Sequence, residues 1–253
     1  VKGKKSVTMV KGAAEIVLAN CTAFIDENGE RQPLPSNENL LNEMNKMSER
    51  AMRLIGLAVT DESIGEDPTL PQNLALVTIF GLRDEIRQEA KVAVQEAQAA
   101  GIRVVMITGD AKNTARAIAK EMGIIQGDNP VVTTSTELGE MSDAQVRDML
   151  PNLCVVARAL PTDKSRLVKA AKERNWVVGM TGDGVNDAPA VKNADVGFAM
   201  GSGTEMTKES SDIVILDDNF SSLTRAVLYG RTLLKSIRKF LIFQLSVNVQ
   251  RSW

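Results

Sequence analysis

Apolar residues recur along this chain with two different periods, and the change between them divides it. Val7 to Val10 predicts a strand that meets Lys11-Gly12-Ala13, and Ala14 to Leu18 predicts a short helix. Asp26-Glu-Asn-Gly29 is a turn of the hairpin kind. Leu40, Leu41, Met44 and Met47 share one face of a helix expected over Asn37 to Met52, and Leu54 to Val59 predicts a strand. Residues 61–73 are rich in proline, glycine and acid, which predicts a surface loop. From Leu74 onward the pattern becomes strand–helix alternation. The run LALVTIF is followed by a helix over Asp84 to Ala100, the strand RVVMI (Arg103 to Ile107) and a helix over Ala111 to Met122. After an irregular stretch come VVARA, a helix over Thr162 to Arg174, the strand WVVGM (Trp176 to Met180), then DVGFAM and IVIL with short helices between. Such alternation predicts an α/β fold, a doubly wound parallel sheet with right-handed crossovers. Asn219 to Asn248 reads as one long helix, interrupted only by Gly230 and growing more apolar toward its end.

Composition narrows the class. The 253 residues leave room for one large or two modest domains, and a 43% hydrophobic content supports a real core. A net charge of −2 with 25% charged residues argues against nucleic acid as a partner. Histidine is absent, which removes catalytic triads and His-rich metal sites. Cys21 and Cys154 stand far apart in sequence and are expected as reduced thiols. The start, Val-Lys-Gly-Lys-Lys, has no apolar h-region of a signal peptide. No stretch reaches the roughly 18–20 apolar residues that span a bilayer, and Phe240 to Val249 comes nearest.

The candidate chemistry gathers where strands end. Met180-Thr-Gly-Asp-Gly-Val-Asn-Asp-Ala-Pro-Ala190 is an apolar strand running into a turn that presents Asp183, Asn186 and Asp187. Hard oxygen ligands at the carboxyl end of a parallel strand suit a Mg²⁺-phosphate site. Any one of these residues alone reads as an ordinary Gly/Asn/Asp turn. Thr108-Gly109-Asp110 follows a second strand and opens a helix, where free N–H groups and the helix dipole favour phosphate. An N-cap role for Asp110 serves equally well. Lys164 falls on the first turn of a helix behind Pro161-Thr-Asp163. Most lysines in such positions are only solvated charges.

Taken together, the run from Met180 to Ala190 resembles the hinge motif of P-type ATPases, within the haloacid-dehalogenase-like superfamily. Phosphotransferases of that superfamily use a threonine or serine, a lysine and an acidic loop in that chain order. The resemblance implies catalytic roles for Thr108, Gly109, Asp110, Lys164, Asn186 and Asp187, and a Mg²⁺-holding role for Asp183. Lys11-Gly12-Ala13 resembles the triplet whose lysine lines the adenine pocket, although Ala14 stands where the family has proline. Arg53 resembles the arginine that reaches the nucleotide phosphates, and Arg158 is placed with the nucleotide-binding residues. Asp84 and Arg87 match the ends of the family's Asp-Pro-Pro-Arg hinge, with Glu85 and Ile86 in place of its prolines. Each of these basic residues, taken singly, also reads as surface charge.

Met200-Gly-Ser-Gly-Thr204, Ser211 to Phe220 and Phe243 to Val249 are similar to calcium-transporting pumps, and with Ala157 to Lys164 most to the plasma-membrane type. Asn248 matches an ion-ligating asparagine of a transmembrane helix; a helix-packing polar residue is the other reading. The family's nucleophile is the aspartate of an Asp-Lys-Thr-Gly-Thr run, which accepts the phosphoryl group covalently. No such run occurs here, since Asp163-Lys164 continues as Ser-Arg and Asp110 as Ala-Lys. The resemblance therefore implies the cytoplasmic portion of a membrane-bound pump. ATP, Mg²⁺ and transported Ca²⁺ are its expected ligands, and the chain by itself is expected to be inactive. Residues 1–78 are expected to belong to a nucleotide-binding domain, 79–230 to a phosphorylation domain, and 231–253 to a stalk that begins a transmembrane helix. A soluble Mg²⁺-dependent phosphatase of the same superfamily and a non-catalytic nucleotide-binding module remain as alternatives. Thr108, Lys164, Asp183 and Asn186 are expected to converge at the carboxyl edge of one sheet.

Overall fold

A computed structural model describes residues 7–35, 37–61, 71 and 73–251, with the side chains of 37 and 249–251 outside the description. Most of the loop expected over 61–73, the first residues Val1 to Ser6 and the final Ser252-Trp253 lie outside the described residues. The chain forms two compact units. One runs through Glu85 and includes Asp110–Ile118; the other comprises Ile86–Gly109 and residues from Ala119 on.

The first unit is a five-stranded sheet carrying two helices. In chain order these are β1 (Thr8–Ala13), α1 (Ala14–Ala19), β2 (Cys21–Ile25), β3 (Arg31–Pro33), α2 (Asn37–Glu49), β4 (Arg53–Thr60) and β5 (Leu74–Leu82). The strand order is β1-β4-β5-β2-β3. All pairings are antiparallel except β2–β5. The turn Asp26 to Gly29 closes the β2–β3 hairpin, with Asp26 accepting from the amides of Asn28 and Glu30. Those bonds and one from Gln32 hold the Asp26 carboxyl below its ordinary range, the Glu30 amide contributing most. Alternation along β1 and β4 sends Val10 and Ala58 inward with Ala14, Val17, Leu18, Met44, Leu74 and Leu76. On α2 the expected face is only partly buried. Met44 is in the core but Leu41 is 43% exposed, because the helix tilts its Met44–Ser48 edge inward. LALVTIF, read from its period as the start of the alternating part, is instead a member of this sheet, and the residue 78/79 boundary falls inside β5.

The second unit has mixed α/β order with parallel strands throughout. Its elements begin with α3 (Gln88–Ala99) and β6 (Met106–Ile107). After them come α4 (Lys112–Glu121), of which the residues up to Ile118 belong to the first unit, β7 (Val131–Thr134), α5 (Ser135–Gly139) and α6 (Asp143–Met149). β8 (Leu153–Ala157), α7 (Pro161–Glu173), β9 (Gly179–Gly182) and α8 (Ala188–Asn193) follow. β10 (Val196–Met200), α9 (Glu205–Glu209), β11 (Ile213–Ile215) and α10 (Phe220–Arg251) complete it. The strands form two three-stranded parallel sheets, β6-β8-β7 and β11-β10-β9, rather than the single sheet expected. Every residue of β8 is buried, as a strand covered on both faces requires. The core around it gathers Leu138, Val146, Leu150, Leu167 and Ala171. α7 links the sheets, with Val168 in a second cluster with Met180, Ala190 and Val191.

Two expectations in this unit are corrected. Trp176 to Met180 is not a buried strand over its whole length. Val177 is 85% exposed, Trp176 is only partly buried with the guanidinium groups of Arg103 and Arg174 over its ring, and pairing begins only at Gly179. The stretch read as irregular contains β7, α5 and α6, whose starts carry capping boxes at Thr134/Glu137 and Ser142/Gln145. The long carboxyl helix does form, over 32 residues. Its start packs on α3, where Asn219 bonds Glu89 and Arg231 bonds the Ala100 carbonyl. From Leu228 to Leu245 its apolar side chains are exposed, and no helix among the described residues is long and apolar enough to cross a membrane.

Gly197 in β10 shows how closely α8 seats on its sheet. A Cβ there would lie 2.6 Å from the Val191 carbonyl oxygen, and backbone cannot step aside as a side chain can. Gly197→Ala is expected to destabilise the second unit by about 1–3 kcal/mol. Urea unfolding followed by circular dichroism should show a lowered midpoint with an unchanged slope.

Candidate active site at the strand ends of the second unit

The site is built on the turn that leaves β9. Gly182, the last residue of that strand, is buried, and a Cβ on it would collide with the Cβ of Asp187. Glycine here lets the chain fold back tightly, so that a one-turn 3-10 helix over Val185–Asp187 sits against the strand it has just left. The Asp187 amide donates to the Gly184 carbonyl at 2.9 Å. In return one oxygen of the Asp187 carboxylate accepts from the Asp183 amide at 3.3 Å and, more weakly, from the Gly184 amide at 3.5 Å. Its other oxygen lies 2.5 Å from the Lys164 ammonium.

That ion pair assigns the two aspartates different work. Asp187 is only 8% exposed at its side chain, and its carboxylate is taken up by Lys164 and the turn's own amides. Asp183, four residues earlier, is exposed, and among the described residues no hydrogen bond or ion pair to its carboxylate is found. Asn186 is likewise exposed. Asp183 is therefore the carboxylate of this turn available to a ligand from outside.

Lys164 reaches Asp187 because of how α7 starts. Pro161 occupies the first turn, and the buried Asp163 accepts from the Leu160 amide at 2.8 Å, closing the helix end. The next residue, Lys164, then faces the β9 turn. The end of β6 lies beside β8. The Thr108 amide donates to the Val156 carbonyl at 2.9 Å and the Ala159 amide donates to the Thr108 carbonyl at 3.0 Å, so pairing continues past the last formal strand residue. Arg158 holds φ at 51°, in the left-handed region uncommon for a residue with a side chain, and donates to the Gly109 carbonyl at 3.1 Å. Thr108, Gly109 and Arg158 thus mark the carboxyl ends of β6 and β8, Lys164 opens the helix after β8, and Asp183, Asn186 and Asp187 leave β9. All belong to the second unit, at the strand ends where open α/β sheets bind ligands.

The remaining candidates lie elsewhere. Asp110 belongs to the first unit, where its carboxylate stands 3.6 Å from Arg53. Lys11 is exposed on β1 opposite Leu57. Asp84 and Arg87 are exposed between β5 and α3. Asn248 is exposed in the last turns of α10.

The donor set suits a hard cation. Among the described residues no group of three His, Cys, Asp or Glu side chains could enclose a metal. Mg²⁺ does not need one, since it binds through one or two carboxylates plus phosphate oxygens and water. The exposed Asp183 carboxylate, on the turn whose Asp187 is paired with Lys164, fits that pattern. Sequence reasoning passed over Gly203 and Thr204 as site residues. The Thr204 amide donates to the Asp183 carbonyl at 2.9 Å, and a Cβ on Gly203 would stand 3.0 Å from that oxygen. Gly201-Ser-Gly-Thr204 was legible as a motif, but not as the backbone that braces Asp183.

Removing one partner of the Lys164–Asp187 pair strands the other in a poorly solvated place. Lys164→Met is expected to cost about 2 kcal/mol, below the figure for full burial because the lysine keeps 21% exposure. The double variant Lys164→Met/Asp187→Asn should lose less than the sum of the two single changes. Denaturant unfolding of the four proteins measures the difference, and strict additivity would contradict the pairing.

Comparison with known proteins agrees with the geometry. Residues 11–195 match the haloacid dehalogenase-like hydrolase family. The chain is 42% identical over 255 residues to the plasma membrane-type calcium-transporting ATPase 8 of Arabidopsis thaliana, covering 94% of this chain and 24% of that protein. A calcium-transporting ATPase of Dictyostelium discoideum is 44% identical over 244 residues, covering 94% and 22%. Plasma membrane calcium-transporting ATPase 3 of Homo sapiens is 41% identical over 263 residues, with the same two shares of 94% and 22%. The chain thus spans about a quarter of the length of these relatives. On the family match, which takes in most of its length, this chain belongs to the haloacid dehalogenase-like hydrolases.

Proposed function

We propose that the chain is part of an ATP-driven, calcium-transporting P-type ATPase, in which its second unit handles the phosphoryl group and its first unit contributes to nucleotide binding. The observation that carries this reading is the division of labour at the β9 turn. Lys164 neutralises Asp187 and leaves Asp183 exposed at a strand end. The relatives' names supply the cation, and the plasma-membrane designation of the Arabidopsis and human proteins supports placement of the whole protein in a membrane with this part in the cytoplasm.

In this reading Mg²⁺ held at Asp183 supplies charge neutralisation for the transferring phosphoryl group. The chain's own residues do the rest. Asp187 keeps the turn folded and orients the Lys164 ammonium, whose remaining protons face phosphoryl oxygens. Thr108 and Gly109, fixed against β8 and by Arg158, offer hydroxyl and amide donors to the same group. Asn186 presents its amide to the substrate side of the turn. Lys11 and Arg53 supply positive charge for ATP in the first unit. The part of α10 from about residue 231 acts as a stalk. Arg231, Lys235, Arg238 and Lys239 keep its near end in water, and Asn248 at its far end serves the transported cation. The 253 residues contain no Asp-Lys-Thr-Gly-Thr run, so by themselves they form no aspartyl-phosphate.

Asp183→Ala in the full-length protein is expected to abolish phosphoenzyme formation from ATP. Acid-stable labelling with γ-labelled ATP measures it. Labelling at the wild-type level would remove Asp183 from the magnesium role.

A further inference from the structure

The β9 turn is braced from outside by a hydroxyl relay that no motif announces. Thr207 lies in α9 and is fully buried, at 0% exposure, although its side chain is polar. Its hydroxyl donates to the Gly184 carbonyl at 2.8 Å and stands 2.8 Å from the hydroxyl of Thr204. The proton order follows from valence. A carbonyl only accepts, so Thr207 must spend its single proton on Gly184, and Thr204 must therefore donate to Thr207. The Gly184 oxygen receives a second bond, from the Asp187 amide. Both lone pairs of one carbonyl are thus filled, one by the turn itself and one by Thr207.

The platform beneath this relay is itself fixed. The Ser202 amide donates to Asp218 at 3.0 Å, and the Gly201 amide donates to the Ile215 carbonyl at 2.8 Å. The Thr204 amide holds the Asp183 carbonyl. Residues 201–207 therefore grip the turn at two successive carbonyls, those of Asp183 and Gly184.

We propose that Thr207 is a positioning residue for the acidic turn: its hydroxyl fixes the Gly184 peptide, and so sets the direction in which Asp183 presents its carboxylate to a divalent cation. Van der Waals packing alone asks for a residue of this size but not for an oxygen. The second part of the proposal rests on the reading of Asp183 as the magnesium carboxylate; the first does not.

The test uses the ¹⁵N-labelled chain with Thr207→Val, which keeps the shape and removes the hydroxyl, and Thr207→Ser, which keeps the hydroxyl. Amide exchange of Asp187 should rise about tenfold in Thr207→Val, the loss expected for one buried hydrogen bond. The apparent dissociation constant for Mg²⁺, read from amide shifts of residues 182–187 at a temperature where every protein is folded, should rise about fivefold. Thr207→Ser should stay within about twofold on both measures. Should Thr207→Val not fold, Thr207→Ala, which is smaller than the site, carries the same readouts. Wild-type exchange at Asp187 in the valine or alanine variant would overturn the proposal. So would a serine variant as impaired as valine, since that assigns the effect to the methyl group. Unchanged Mg²⁺ affinity with raised exchange would overturn the link from Thr207 to Asp183. Asp183→Asn separates the two readings. If Mg²⁺ moves the same amides in that variant, or none in wild type, the magnesium role of Asp183 fails while the exchange measurement still judges Thr207.

Discussion

The contact between Lys164 and Asp187 is the constraint on which the candidate site depends. It joins the helix that leaves β8 to the turn that leaves β9, and these strands lie in different sheets. A carboxylate with 8% exposure needs a cation or its charge is costly to keep, and the lysine meets that need at short range. The same bond decides which aspartate faces outward. Were Asp187 not paired, two carboxylates four residues apart on one turn would compete for one ligand.

Several other features serve that contact. Glycine at 182 permits Asp187 to fold back against the strand, and Asp163 caps the start of α7 so that Lys164 falls opposite it. The Arg158 side chain, carried on a left-handed residue, and the Thr108 backbone bonds hold the neighbouring strand end. The loop from Gly201 to Thr204 supports the turn from the far side. These are short-range devices within one unit, and together they make a rigid rim at the carboxyl ends of parallel strands.

Much of this rim was legible in the order of residues. Met180 to Ala190 and Pro161 to Lys164 carry their meaning locally, because glycine, proline and aspartate force turns wherever they stand. The partition between Asp183 and Asp187 came from the family resemblance alone, since the contact behind it involves a lysine 23 residues away that the local pattern does not pair with either. Pairing partners were equally hidden. LALVTIF has the same period whether it enters a parallel sheet or, as it does, lies antiparallel to β4. Trp176 and Val177 are apolar but precede the strand; Trp176 packs at the edge of the core with two arginines over its ring, and Val177 faces solvent. The elements between residues 131 and 149 escaped because their apolar runs are short. Their Thr-x-x-Glu and Ser-x-x-Gln capping boxes would have marked both helix starts.

The account's central claim is that the Lys164–Asp187 pair reserves Asp183 for the metal. A crystal structure of the chain soaked in Mn²⁺, which stands in for Mg²⁺ and scatters anomalously, tests it directly. The account predicts an anomalous peak about 2.0–2.2 Å from an Asp183 carboxylate oxygen, with the Lys164–Asp187 contact intact. A peak on Asp187 with Lys164 turned away would contradict it.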